Sequence, residues 1–101
     1  GVIHAHGFQG GGKASWEIDV NEPGDYNVAL TYSGEGRLVW SVAIEGGEKI
    51  QNQQNSSHNY QSFPIGWIHF PKPGRYTVSV ACIEGDVESA SLKSIHFERA
   101  Y

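Results

Sequence analysis

The sequence predicts an all-β fold. Three observations carry that prediction: two near-copies of a turn that launches a strand, apolar residues that alternate at a period of two, and no window of ten or more residues with an apolar stripe at helical spacing. The near-copies are NEPGDYNVAL (Asn21 to Leu30) and PKPGRYTVSV (Pro71 to Val80). In each, proline presets φ for the first corner of a turn, glycine tolerates the positive φ a tight corner demands, and Tyr-x-Val then alternates as a strand does. Each copy also follows a short alternating run, Trp16 to Val20 in the first case and Gly66 to Phe70 in the second. The repeated unit is therefore a β-hairpin.

Reading outward from the copies assigns the faces, because side chains of a strand alternate between its two sides. Trp16, Ile18 and Val20 point inward, with Glu17 and Asp19 solvated on the other side. After the turn, Tyr26, Val28, Leu30 and Tyr32 share the inward face. Ser33 to Gly36 turns the chain, and Leu38, Trp40, Val42 and Ile44 continue the inward set. Glu45 to Glu48 turns it again into the short run Lys49 to Gln51. The stretch Asn52 to Ser62 (NQQNSSHNYQS) is polar and nearly free of aliphatics, so it is expected as an exposed loop. Pro64 then restricts the next strand to an edge. If Ile68 and Phe70 face in, Trp67 and His69 face out. Tyr76, Val78, Val80 and Cys82 face in after the second turn, and Ile95 and Phe97 close the last strand. Seven or eight short strands with regular turns make a jelly-roll β-sandwich of two antiparallel sheets.

The 101 residues fit one domain, residues 1–101, which would bury only about 65% of its unfolded surface. The bare glycine at the start suggests a domain excised from a larger multidomain protein. A net charge of -4, with the basic residues scattered singly, offers no stripe for a phosphate backbone, so nucleic acid is not expected as a partner. No apolar run is long enough to span a bilayer, and no membrane partner is expected. Cys82 is the one cysteine. At a strand position it reads as a packing thiol.

Catalysis finds no support: there is no Gly-x-Ser-x-Gly, no His-Glu-x-x-His, and Gly10-Gly11-Gly12 lacks the strand-loop-helix context of a phosphate loop. His4-x-His6 has a metal-compatible spacing, but a metal needs a third ligand, and His58, His69 and His96 are far away in sequence. No metal or other cofactor is expected. Asn55-Ser56-Ser57 matches the N-glycosylation pattern in a stretch expected to be exposed. Tyr60, Trp67 and His58, among Asn52 to Asn55 and Asn59, combine flat apolar faces with amides, the chemistry that recognises sugars. An exposed tryptophan packed on a neighbouring domain is the competing reading.

The order Trp16-Glu17-Ile18-Asp19-Val20, Glu22-Pro23-Gly24-Asp25-Tyr26-Asn27-Val28, Ile65-Gly66-x-Ile68-x-Phe70, Lys72-Pro73-Gly74-Arg75-Tyr76-Thr77-Val78 and Leu92-Lys93-Ser94-Ile95-His96-Phe97 resembles the accessory β-sandwich at the C-terminus of bacterial α-L-fucosidases and, more distantly, galactose-binding-like carbohydrate-binding modules. The resemblance implies a galactose-binding-like jelly roll that is secreted or periplasmic. It would be a non-catalytic accessory module, binding carbohydrate or buttressing an adjacent catalytic domain. It places Tyr60 at a ring-clamping position with Phe63 close by, and Ser91 where those modules carry an asparagine anchor. The acidic pair that holds structural calcium in them has no counterpart in Val2-Ile3-His4-Ala5-His6. The candidate carbohydrate-binding residues are thus Tyr60, His58, Asn59, Trp67 and Ser91.

Overall fold

The structure is a computed structural model; it describes Val2–His6 as backbone and residues 13–100 with their side chains. Eight strands follow one another: β1 (Val2–His6), β2 (Lys13–Val20), β3 (Gly24–Ser33), β4 (Arg37–Ile44), β5 (Lys49–Asn55), β6 (Gln61–Phe70), β7 (Gly74–Glu84) and β8 (Ser91–Arg99). They form two four-stranded antiparallel sheets, ordered β1-β8-β3-β6 and β2-β7-β4-β5. Apart from the β4–β5 hairpin, successive strands lie in different sheets, which is the wiring of an eight-stranded jelly roll.

The alternation read from the sequence sets the core. Ile18, Val20, Tyr26, Val28, Leu30, Tyr32, Leu38, Trp40, Val42, Ile44, Ile68, Phe70, Val78, Val80, Ile95 and Phe97 are all buried between the sheets. Trp16, Tyr76 and Cys82 face the same way but sit at the margin, partly buried against that core. Burial pushes the Cys82 thiol pKa up, which fits a packing side chain rather than a nucleophile. The bulge at Ile65, between the pairs Val28–Gly66 and Ala29–Pro64, shifts the inward parity of β6 from odd to even positions. Pro64 lies beside that bulge on an edge strand, where its missing N–H costs no ladder bond.

Two expectations need correction. Of the expected loop Asn52 to Ser62 only residues 56–60 connect strands: Gln61 and Ser62 begin β6, paired with Tyr32 and Thr31 of β3, and Asn52 to Asn55 belong to β5, paired with β4 from Lys49 opposite Ala43 to Asn55 opposite Arg37. The strand alternates in burial although not in hydropathy, with Ile50, Asn52 and Gln54 half-buried and the residues between them exposed. The reason is the seam where edge strand β5 meets edge strand β6 of the other sheet. Asn52 Nδ2 donates to the Ile65 carbonyl at 3.1 Å, and Gln54 Nε2 donates to the Pro64 carbonyl. Side-chain amides thus pair an edge that aliphatic residues would leave open. The second correction concerns Glu17 and Asp19, which are not merely solvated. Arg75 on neighbouring β7 places Nε 3.1 Å from Asp19 Oδ1 and Nη1 3.8 Å from Glu17 Oε2. All three are well exposed, so the cluster contributes little to stability.

The two near-copies have a shared physical device. Gly24 and Gly74 begin β3 and β7 with φ of 137° and 152°, a region that favours glycine. Two residues later each tyrosine turns its hydroxyl back onto the corner: Tyr26 donates to the Glu22 carbonyl at 2.7 Å, and Tyr76 to the Lys72 carbonyl at 2.5 Å. This is the logic of a tyrosine corner, in which a core ring closes the turn that delivers it. Pro-Gly-x-Tyr occurs twice because each sheet receives one strand this way, β3 in the first and β7 in the second.

Candidate functional site

The end of the sandwich opposite the Pro-Gly turns gathers three connections: residues 34–36 between β3 and β4, residues 56–60 between β5 and β6, and residues 85–90 between β7 and β8. They are tied to one another by hydrogen bonds. The Gly34 N–H donates to the Ser57 carbonyl and the Ser56 N–H to the Gly36 carbonyl, both at 2.8 Å. The Glu35 N–H donates to Ser89 Oγ at 2.9 Å. The Ser89 hydroxyl in turn donates to the Asp86 carbonyl at 2.7 Å. A polar loop cluster held this way keeps its side chains in place without a hydrophobic core beneath them.

Tyr60 ends the second of these loops. Its hydroxyl lies 2.5 Å from Ser91 Oγ, across the end of β3, which β6 and β8 flank. The ring remains 46% exposed. Lys93 reaches over it, with Nζ 5.4 Å from the ring centroid, a cation–π distance. Lys93 is carried outward by a bulge in β8, where Thr31 pairs with Ser94 and Tyr32 with Leu92. On the same loop, His58 Nδ1 is 3.9 Å from Glu35 Oε1 with both side chains largely exposed. The Asn59 N–H bonds Ser57 Oγ at 3.2 Å, holding the turn and leaving the Asn59 side chain exposed. Below this end, along the β5–β6 seam, an open groove of about 460 Å³ is lined by Arg37, Asn52, Gln53, Gln54, Asn55 and Phe63.

The fold therefore brings Tyr60, His58, Asn59 and Ser91 to one end of the sandwich and leaves Trp67 elsewhere. Trp67 stands 63% exposed on the outer face of the first sheet, opposite Asn27, and seven strand steps put it about 20 Å from Tyr60. Its neighbour along that face is His69, whose Nδ1 is 2.8 Å from Asp25 Oδ1. Glu35 and Lys93 were not singled out from the sequence. Glu35 sits in a Ser-Gly-Glu-Gly turn that reads only as a turn, and the bulge that delivers Lys93 has no sequence signal.

An exposed ring with a hydroxyl, an amide, an ammonium, a carboxylate and an imidazole around it can stack on an apolar face and exchange hydrogen bonds with polyols. No group of three His, Cys, Asp or Glu side chains converges on a metal position among the described residues. Nor is there, among them, a helix long and apolar enough to cross a membrane.

The sequence matches no family model and no curated protein. The fold does match solved structures. A GH26-CBM35 β-(1,4)-mannanase from Podospora anserina superposes with a TM-score of 0.72 at 15% identity, over 91% of this chain and 20% of the mannanase. The C-terminal CBM6 of LamC, a laminarinase from Zobellia galactanivorans, gives 0.66 at 14% identity, over 92% of this chain and 77% of that one. The mosquito-larvicidal Cry4Aa toxin from Bacillus thuringiensis gives 0.72 at 11% identity, over 99% of this chain and 21% of the toxin. The chain thus spans about a fifth of the mannanase and of the toxin. At these identities the likeness establishes the fold, a β-sandwich of the kind found in carbohydrate-binding modules, and no ligand.

Proposed function

We propose that this chain is a non-catalytic carbohydrate-binding module of a glycoside hydrolase, secreted or periplasmic, that engages sugar at the loop end of its sandwich. The observation that carries the reading is the Tyr60–Ser91 contact, 2.5 Å between hydroxyls with the ring still half-exposed. A tyrosine whose hydroxyl is already held presents its face in a fixed orientation, so stacking on a sugar costs little side-chain entropy. His58, Asn59, Glu35 and Lys93 surround the ring with donors and acceptors suited to sugar hydroxyls. The fold it shares with the CBM35-containing mannanase and the laminarinase CBM6 supports the same reading, and a fucosidase-type parent enzyme is its finer form.

A second reading has its own observation. Trp67 lies on a flat sheet face, away from the loop end, where a large exposed aromatic suits packing against an adjacent catalytic domain. The two readings are compatible in one molecule, since they use different surfaces.

The test is an NMR titration of the chain with fucose, galactose, manno-oligosaccharides and laminari-oligosaccharides. A site this open should hold its sugar with a Kd on the order of 10⁻⁴ to 10⁻³ M. Shifts are expected in the amides of residues 56–60, 91 and 93. Unmoved amides there at tens of millimolar of every sugar would end the binding reading and leave the buttressing one.

A further inference from the structure

The open groove along the β5–β6 seam, about 460 Å³ in volume, has two walls. Arg37 and Asn55 are directly opposed across β4 and β5, and directly opposed residues of an antiparallel pair share a face. Gln53, two residues back along β5, stands on that face too. The other wall is the seam itself. Asn52 and Gln54 each use an amide N–H on a β6 carbonyl, Ile65 and Pro64 respectively, and their own amide oxygens receive no hydrogen bond from the described residues. Phe63 lies with one face on Tyr32, ring centroids 4.4 Å apart, and the rest of the ring lines the groove.

The lining is amide, guanidinium and aromatic ring, with no carboxylate. The chain as a whole carries 11 acidic residues against 7 basic ones, so an acid-free groove around an arginine is against the trend. The other two arginines show the contrast. Arg75 is held by Asp19 at 3.1 Å and Arg99 by Glu22 at 2.7 Å, whereas Arg37 is exposed and makes no ion pair among the described residues. Its planar fork of N–H donors matches a carboxylate bidentately. The amides beside it donate to and accept from hydroxyls. A nucleic-acid backbone is the other anion a guanidinium takes, but one such group on a chain of net charge -4 cannot hold a polyphosphate.

We propose that this groove is a subsite for the carboxylate-bearing sugar of an acidic oligosaccharide. Arg37 takes the carboxylate, the amides of Asn52 to Asn55 take the hydroxyls, and Phe63 takes an apolar edge of the ring. The proposal rests on the reading of the chain as a glycan-binding module and adds the class of glycan. The groove adjoins the loop end, because Arg37 follows the connection of residues 34–36 and Asn55 precedes that of residues 56–60. Tyr60 and Phe63 are three residues apart, about 10 Å along an extended chain, so one glycan can lie across both.

The test is an NMR titration of the whole chain with trisaccharides of galacturonate, glucuronate and mannuronate, each beside its neutral methyl ester. The amides of residues 53–55 and 63 and the Arg37 Nε–H should move with at least one acid. That acid should bind roughly threefold to tenfold more tightly than its ester at low ionic strength, and the difference should shrink as salt is added. Arg37→Gln should erase the preference for acid over ester, while Arg75→Gln, which alters an arginine already paired elsewhere, should keep it. If Arg37→Gln does not fold, the parent decides: its Arg37 Nε–H must shift with the acid and stay with the ester. Unmoved amides at residues 53–55 and 63 with all three acids at tens of millimolar, equal affinity for acid and ester, or a preference that persists in Arg37→Gln overturns the proposal. The loop-end reading is judged separately, by the amides of residues 56–60, 91 and 93 with the neutral sugars.

Discussion

Tyr26 and Tyr76, the tyrosines of the two near-copies, both pack against Phe70, with ring centroids 5.5 Å and 4.8 Å from its own. Each also returns its hydroxyl to a carbonyl four residues upstream. The repeat therefore closes both turns and meets in the core through one ring. Tyr26→Phe should cost about 1 kcal/mol, since it deprives a partly buried carbonyl of its donor, and Tyr76→Phe less, because the Lys72 carbonyl lies where water can replace the hydroxyl. Urea denaturation of the two variants checks the order. A Tyr76→Phe loss larger than that of Tyr26→Phe would contradict it.

Trp40 is fully buried and lies against Tyr32, with centroids 4.8 Å apart. Its removal leaves a space that strands on both sides hold open. Trp40→Ala should destabilise by about 3–5 kcal/mol, measured as a shifted denaturation midpoint with an unchanged slope.

Gly85 begins the connection from β7 to β8 with φ of 95°, and a Cβ there would stand 2.3 Å from the Arg37 carbonyl oxygen. Gly46, also at positive φ, has open space around it. Gly85→Ala should therefore destabilise clearly more than Gly46→Ala, by about 1–3 kcal/mol beyond the shared backbone strain. Because residues 85–90 are tied to the loop end, Gly85→Ala should also move the amides of Glu35 and Ser91. Equal stability of the two alanine variants would show that the close approach is relieved at no cost.

The Tyr32 hydroxyl and the Trp40 indole N–H are buried, and neither has a hydrogen bond of ordinary geometry among the described residues. Burial foremost, then the neighbouring Cys82, pushes the Tyr32 pKa up from 10.0 to about 12. Between pH 10 and 12 the unfolded chain loses this proton while the native chain keeps it, so stability falls as pH rises, by at most about 1.4 kcal/mol per pH unit. Below pH 10 the group adds no pH dependence. Tyr32→Phe should lessen the alkaline decline and leave stability at pH 8 nearly unchanged, because the hydroxyl it removes is buried and at most weakly bonded to the neighbouring Trp40. Denaturation midpoints at pH 8, 10 and 11 for both proteins check this.

Most of the sandwich was legible because hydropathy and burial alternate together from Trp16 to Ile44 and from Ile68 to Val80. Where they part, the sequence misleads. Asn52 and Gln54 occupy inward positions of β5 that alternation would give to aliphatics, and their reason for being there is a row of carbonyls on β6 thirteen and ten residues away in the chain. At the candidate site, resemblance put Tyr60 and Ser91 in one place, and their hydroxyls do meet. Trp67 was grouped with them for its chemistry alone. Chemistry carries no distance, and the strand between Gln61 and Trp67 separates the two aromatics.

Tyr60 offers a test that separates the ring from its anchor. Tyr60→Ala removes the stacking face, while Ser91→Ala removes only the partner that orients it. If the loop end binds sugar, Tyr60→Ala should abolish binding, with a Tm nearly that of the parent, because a half-exposed loop ring supports no core. Tyr60→Phe keeps the face and loses the hydroxyl, as Ser91→Ala loses its hydrogen-bond partner, so each should weaken binding by roughly threefold to tenfold, and the double variant no more than either alone. Trp67→Ala, about 20 Å away, should leave the affinity unchanged. Affinities that fall with Trp67→Ala but not with Tyr60→Ala would move the sugar site to the sheet face and refute the loop-end assignment.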